Sequence, residues 1–305
     1  MPTPAVLSKA LRRIRARSGN GLDVYVFTRN RASRSLRVSK PRFSVLRKSA
    51  TVRRSLTKKD AVRAIKKALP VGKVIGSGSY GTVFTAKWDG AFQKALKSLT
   101  GRATSRNVFS ASAASRESLK SGSDIVVKID CSWNKDRDPH GRRFIKKTMY
   151  ETAMHRQVER RAPEIVPRLI TTLHYQGLYI SVMERIDGRE LYSVVRGSRV
   201  KRAVFENLTE AMRKMWLAGV VHLDMHYGNV MVKRNNDVII IDFGFARAIP
   251  DAIRRRLREL KHRPVDTMFD ESGLGDWLQS CHARAGKSSY KSNIRLLQDL
   301  ATYVR

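Results

Sequence analysis

Acidic residues are scarce in this chain. Its 305 residues hold 26 Asp and Glu against 61 Lys and Arg, a formal net charge of +35. Ordinary solubilising charge mixes both signs, so an excess of this size points to an acidic partner: nucleic acid, an anionic membrane surface or an acidic protein. Cysteine is almost absent too. Cys131 and Cys281 lie far apart and form no metal or redox motif, which excludes a disulfide framework and fits a reducing intracellular compartment, nucleus or cytoplasm. No apolar run approaches the length that spans a membrane, so no transmembrane segment is expected. Aromatic residues are too thinly interleaved with the first basic stretch to suggest sequence-specific stacking on single strands.

What is present at the start is positive charge. Residues 1–69 carry 20 Lys and Arg against Asp23 and Asp60 alone, and Ser and Arg alternate through RASRSLRVSKPRFSVLRKSATVRRSL. A like-charged segment repels itself, so a largely disordered arm is expected, suited to non-specific contact with nucleic acid or another polyanion, or to nuclear import. The first twenty residues also resemble a mitochondrial transit peptide, but the basic character runs well past a usual presequence. LDVYVF (22–27) has strand character. Val62, Ile65 and Leu69 sit at helical spacing in 58–69, which predicts a helix leading into the domain.

Residues 220–247, VVHLDMHYGNVMVKRNNDVIIIDFGFAR, organise the rest. Asp224 and Asn229 lie on a loop. Two short apolar runs follow, joined by a turn at Asn235-Asn236-Asp237, and the second run ends on Asp242-Phe243-Gly244. This pattern predicts a β-hairpin that brings Asp224, Asn229 and Asp242 together. Phosphoryl transfer needs such a group of oxygens, one to orient the attacking hydroxyl and others to hold Mg²⁺. The order and spacing match H-x-D-x-x-x-x-N followed by D-F-G, and here the chain resembles the protein-kinase-like superfamily.

Upstream, VGKVIGSGSYGTVFTAKW contains Gly76, Gly78, Gly81 and Val83 in the order G-x-G-x-x-G-x-V. Glycines let backbone N–H groups approach phosphates with no Cβ in the way, and strand-like flanks on both sides predict a hairpin over them rather than a dinucleotide fold. Two lysines compete to grip the phosphates. Lys128, in DIVVKID, is preferred because a helix carrying Glu151 follows it, at the cost of an insertion near 90–122. Lys97, in KALKSL, sits at the usual family distance from the glycines and would pair with Glu117. The resemblance further implies that Met183 backs the adenine pocket, that the backbones of Glu184 and Ile186 bond adenine, and that Glu190 approaches the ribose.

Departures from the family pattern are informative. Leu223 stands where many relatives have an Arg that meets an activation-loop phosphate, so no such phosphate should be needed. His226 replaces the usual Lys near the γ-phosphate, and D-x-H-x-G-N also resembles ubiquinone-linked and small-molecule kinases. No A-P-E follows Gly244, so a full helical subdomain is not expected in the residues that remain. Asp266 or Asp276 is expected to be a buried anchor for the catalytic loop. An amphipathic helix is predicted over 199–219, and 254–263 reads as a solvated basic helix face.

These observations predict an α+β, two-lobed kinase-like fold: a basic arm (1–69), a lobe with a small five-stranded sheet and one helix (70–190), and a reduced helical lobe (191–305). The resemblance implies ATP and Mg²⁺ as cofactors. Asp224, Lys128 and Asn229 would be catalytic, with Asn229 and Asp242 as metal ligands and a protein hydroxyl as acceptor. Compact, very basic kinases of this kind resemble those of large DNA viruses, which would place the protein in a host cell or virion.

Overall fold

The computed structural model describes residues 26–29, 36–39, 58–77, 81–102, 108–110, 119–130, 143–175, 178–197, 200–283 and 292–304. The chain divides into two units, 1–55 with 138–146, and 56–137 with 147–305. In the first, β1 (Val26–Arg29) and β2 (Leu36–Ser39) form an antiparallel hairpin. Of the expected strand at 22–27, Val26 and Phe27 lie in β1 and residues 22–25 lie outside the described residues; β2 was not anticipated. The rest of the expected disordered arm lies outside the described residues.

The second unit opens with α1 (Lys58–Ala68), the predicted helix. Ala61, Ile65 and Leu69 recur every four residues and are all buried, while Lys59, Arg63, Lys66 and Lys67 face solvent. Pro70 then prevents continuation. Ala61, Ile65 and Leu69 pack into the same core as the sheet strands that follow.

The glycine segment lies between β3 (Val71–Ser77) and β4 (Gly81–Trp88), which pair antiparallel as expected; Gly78 itself is outside the described residues. Helix α2 (Gly90–Arg102) and strand β5 (Val108–Ser110) follow, then β6 (Ser123–Asp130), α3 (Arg143–Glu159), β7 (Leu169–Tyr175) and β8 (Leu178–Glu184). The strands make one six-stranded sheet ordered β3-β4-β6-β8-β7-β5. Five were expected. The sixth, β5, comes from the stretch taken as an insertion and pairs with β7. That stretch is not merely inserted, because Phe92, Leu96 and Leu99 of α2 are buried in the core.

Alternation explains how this sheet presents a site. In β6, Ile125, Val127 and Ile129 are fully buried, which stabilises by roughly 1.5–3 kcal/mol each. Lys128 therefore points to the opposite face. Register places it directly across from Val83 on β4 and Ser181 on β8, and places Val126 across from Met183. Gly81 has a structural reason of its own: a Cβ there would stand 2.6 Å from the Ile129 carbonyl oxygen. Among the described residues, a Cβ at Gly76 would meet only the Val83 side chain, at 3.7 Å.

After β8 come β9 (Gly188–Glu190), α4 (Leu191–Gly197) and α5 (Arg202–Leu217). Helix α5 is the predicted amphipathic helix, with Val204, Leu208, Met212, Met215 and Trp216 buried in a second hydrophobic core. Gly219 ends it at φ +84°, where its N–H reaches the Trp216 carbonyl. Strand β10 (Val220–Val221) leads to the loop, and β11 (Val230–Lys233) and β12 (Val238–Ile240) are the predicted hairpin, with Asn236 at φ 69° in its turn. They join β9 in a three-stranded sheet ordered β12-β11-β9. Strand β13 (Arg247–Ala248) pairs with β10, and α6 (Asp251–Glu259), α7 (Val265–Glu271), α8 (Leu274–Ala283) and α9 (Ser292–Ala301) complete the described chain. No described helix is long and apolar enough to cross a membrane.

Candidate active site

Three distant segments meet at Lys128. Its Nζ lies 2.8 Å from Glu151 Oε1 on α3 and 2.9 Å from Asp242 Oδ1 beyond β12. The Lys128 and Glu151 side chains are 16% exposed, whereas Asp242 is 46% exposed and open to a ligand. Burial alone would depress the Lys128 ammonium. Attraction from Glu151 and then Asp242, with a hydrogen bond to each, overrides burial and raises its pKa above the ordinary value. The same lysine, more than any other group, holds the Asp242 carboxyl down to about 2 against its own burial. Lys128 and Asp242 are therefore both ionised at neutral pH. Lys97 lies on the exposed face of α2, and Glu117 is outside the described residues.

Asp242 sits in the left-handed region, φ 63° and ψ 72°, and its side chain accepts from the Gly244 N–H. Such a backbone costs a non-glycine residue about 1–3 kcal/mol and persists only where its surroundings enforce it. Phe243 supplies the enforcement. It is 1% exposed and lies between His155 of α3, with ring centroids 5.2 Å apart, and His222 of the loop, at 5.3 Å.

His222 also fastens the loop. Its Nε2–H donates to the Ile241 carbonyl at 3.0 Å, which leaves Nδ1 to accept from the Asp224 N–H at 3.3 Å. Asn229 donates through Nδ2 to the Asp224 carbonyl at 2.8 Å, while its own carbonyl accepts from the Ile241 N–H at 3.0 Å. Asp224, Asn229 and Asp242 are thus tied together through Ile241 and His222. This corrects the expectation of a buried aspartate anchor: Asp266 and Asp276 are both exposed, and Asp266 instead accepts from the N–H of Thr267 in the first turn of α7. The anchoring is done by His222 and the hairpin backbone. His226 is 56% exposed, 3.8 Å from the Asp224 carboxylate, and accepts from the Gly228 N–H. Leu223 is buried in the second core.

Among the described residues no group of three or more His, Cys, Asp or Glu side chains forms a metal cluster. One carboxylate and one amide nevertheless suit Mg²⁺, which keeps several waters and takes further oxygens from substrate phosphates. The Asn229 Nδ2 contact turns its Oδ1 away from Asp224, and the Asp242 side chain is 46% exposed, so both could supply an oxygen. Near the expected adenine pocket, Met183 is half-buried on β8. Glu184 donates its N–H to the Arg168 carbonyl, so any adenine contact at that residue would fall on its carbonyl. Ile186 follows on the connector, and Glu190 is exposed on β9.

Several contributors were missed by sequence reasoning. His155 lies four residues after Glu151, one helical turn on, and that spacing was the available signal. Tyr150, whose hydroxyl accepts from the Ala248 N–H at 3.0 Å, and Gln157, which donates to the Ala218 and Gly219 carbonyls, had none.

The protein kinase domain family model matches residues 110–261, which include Lys128, Glu151, Asp224, Asn229 and Asp242. The chain is 35% identical over 75 residues to serine/threonine-protein kinase PknB of Mycolicibacterium smegmatis, covering 23% of this chain and 12% of that protein. It is 32% identical over 92 residues to sperm motility kinase 2B of Mus musculus, covering 28% of this chain and 19% of the relative. Sperm motility kinase 3A of the mouse matches at 32% over 92 residues, 28% and 18% of the two chains. These matches support the protein-kinase-like superfamily. The chain spans less than a fifth of the length of each of these relatives.

Proposed function

We propose that the protein is an ATP- and Mg²⁺-dependent protein kinase that transfers the γ-phosphate to a serine or threonine hydroxyl. The observation that carries this reading is Lys128 held between Glu151 and Asp242. A buried cation fixed by two carboxylates from different segments is poised to meet the α- and β-phosphates, and Asp242 has room for a second interaction. Backbone N–H groups of the β3–β4 hairpin would cover the phosphates, and among the described residues no close contact demands glycine at Gly76. Asn229 and Asp242 would hold Mg²⁺, which when bound neutralises charge on the phosphate oxygens. Asp224 would orient the hydroxyl. As its oxygen bonds to the γ-phosphorus, the bond to the β–γ bridging oxygen breaks, ADP departs and the proton passes to the Asp224 carboxylate.

His226, exposed beside Asp224, keeps a second reading in play, a kinase acting on a small molecule. Labelled ATP offered with protein and metabolite acceptors in parallel separates the two. Label on protein serine or threonine supports the first reading, label only on metabolites supports the second, and no transfer defeats both. A resemblance to kinases of large DNA viruses rests on the compact, basic character of the chain alone.

A further inference from the structure

Away from the Lys128 cluster, a cavity of about 350 Å³ opens between β9, α4, the start of α5 and the turn after β11. Four cations line it: Arg189, Lys201, Lys233 and Arg234. Among the described residues one acid, Asp187, accompanies them. Its pairing with Arg234 at 3.7 Å joins side chains 86% and 90% exposed, and a pair so solvated is readily exchanged for another anion. Arg189, Lys201 and Lys233 make no ion pair among the described residues. Lys201 also occupies the cap position of α5, whose first turn carries no acid, so the positive end of a 16-residue helix faces the same way uncompensated. The turn is rigidly placed, because Asn207 of α5 donates to the Asn236 carbonyl at 3.0 Å.

The lining is not purely charged. Val194, Val204 and Val232 form an aliphatic part of it. Among the described residues no aromatic side chain lines the cavity, so it offers none of the stacking platforms on which single-stranded nucleic acid depends. The chain's own composition also disfavours it as the occupant. Asp270-Glu271 is the only place in the sequence where two acids are adjacent, and a second copy bearing +35 would be repelled.

We propose that this cavity docks an acidic peptide segment of another protein, with carboxylates on Arg189, Lys201 and Lys233 and one aliphatic side chain against the three valines. That the docked protein is also the phosphorylated substrate rests on the protein-kinase reading above; the binding does not.

The test is fluorescence anisotropy on the full chain without ATP, with a fluorescein-labelled peptide bearing glutamates on both sides of one leucine. Arg189→Glu with Lys201→Glu alters two exposed positions and should leave the fold intact, which circular dichroism checks. This double variant should weaken binding roughly tenfold, as expected for reversing two solvated charges. A control of equal charge change on α6, Arg255→Glu with Arg258→Glu, should stay within about twofold of the original, because general attraction to a basic protein is not site-bound. Replacing the peptide leucine with serine should also weaken binding to the original chain. Equal losses in both double variants, no loss in either, or indifference to the leucine would overturn the proposal. So would a loss confined to mixed-sequence single-stranded RNA, offered in a parallel titration. A chain that binds the peptide yet transfers no phosphate would defeat the kinase reading and leave the docking site standing.

Discussion

Falling pH should loosen this protein through His155 before it affects the lysine–carboxylate cluster. The imidazole is 7% exposed, donates Nε2–H to the Pro167 carbonyl at 2.7 Å and packs on Phe243. Burial is the main influence holding its pKa down to about 4, aided by the Arg156 and Lys128 charges and opposed by the bond to Pro167. In the unfolded chain the group titrates near 6.5. Between those values the unfolded state binds more protons, so stability rises with pH. The contribution is complete above about 6.5, is lost as pH falls toward 4, and no longer changes below that. The full difference corresponds to about 3 kcal/mol, of which about 2 kcal/mol is gone by pH 5. His155→Gln removes the titration and keeps an amide donor near Pro167. Urea unfolding of both proteins at pH 7.5 and 5.0 isolates the effect, because other groups, including His222, whose pKa is lowered in the same direction by burial, remain in both. The original should lose about 2 kcal/mol more than the variant between the two pH values. A difference under about 0.5 kcal/mol would mean that His155 is hydrated or already charged in the native state.

Three further outcomes are expected. Lys128→Met should lower kcat/KM for phosphate transfer by roughly a hundredfold or more, while Lys97→Met stays near the original; the reverse pattern in a labelled-ATP assay would move the phosphate grip to α2. Asp242→Asn should abolish transfer through loss of a metal-ligand charge, and Asp224→Asn should reduce kcat more than ATP affinity, so near-normal turnover in either variant would remove its assigned role. Residues 1–57 should supply much of any nucleic-acid affinity, so a chain starting at Lys58 should show a flatter dependence of log K on log salt with peptide phosphorylation unchanged; equal slopes for both chains would locate the footprint on the folded part.

Legibility from sequence followed the range of the interactions involved. The β11–β12 hairpin, the β3–β4 pair and α5 were readable because turn residues, period-two alternation and helical spacing act within a few positions. Lys128 could be preferred over Lys97 because a strand followed by a helix carrying Glu151 is also a local pattern, and the structure adds that Ile125, Val127 and Ile129 are buried and leave 128 on the other face. The anchor of the loop was not readable. Burial of an aspartate depends on what packs over it, and nothing near Asp266 or Asp276 encodes that. Helix α2 was concealed by Ser-, Ala- and Lys-rich surroundings, although Phe92, Leu96 and Leu99 carry its buried face. Strand β5 has three residues, too few for alternation to show.

Helix α3 shows why the site had to be found in three dimensions. Its described turns are not held by a continuous apolar stripe. Met154 and Val158 enter the second core, but Thr152 and His155 are buried as well, and the remaining attachments are polar. Glu151 holds Lys128, and His155 packs on Phe243. Tyr150 accepts from the backbone N–H of Ala248, and Gln157 donates to the carbonyls that end α5. Within eight residues, one helix therefore touches the lysine strand, the Asp242 turn, the strand beyond it and the helix that leads to the loop carrying Asp224. Hydrogen bonds and ion pairs are directional, so a shift of α3 by a fraction of a turn would break several at once. Loss of the Glu151 contact alone would leave Lys128 to Asp242 and compete with any metal there. The proposed phosphate transfer would thus depend on the placement of α3 as much as on the loop that carries Asp224.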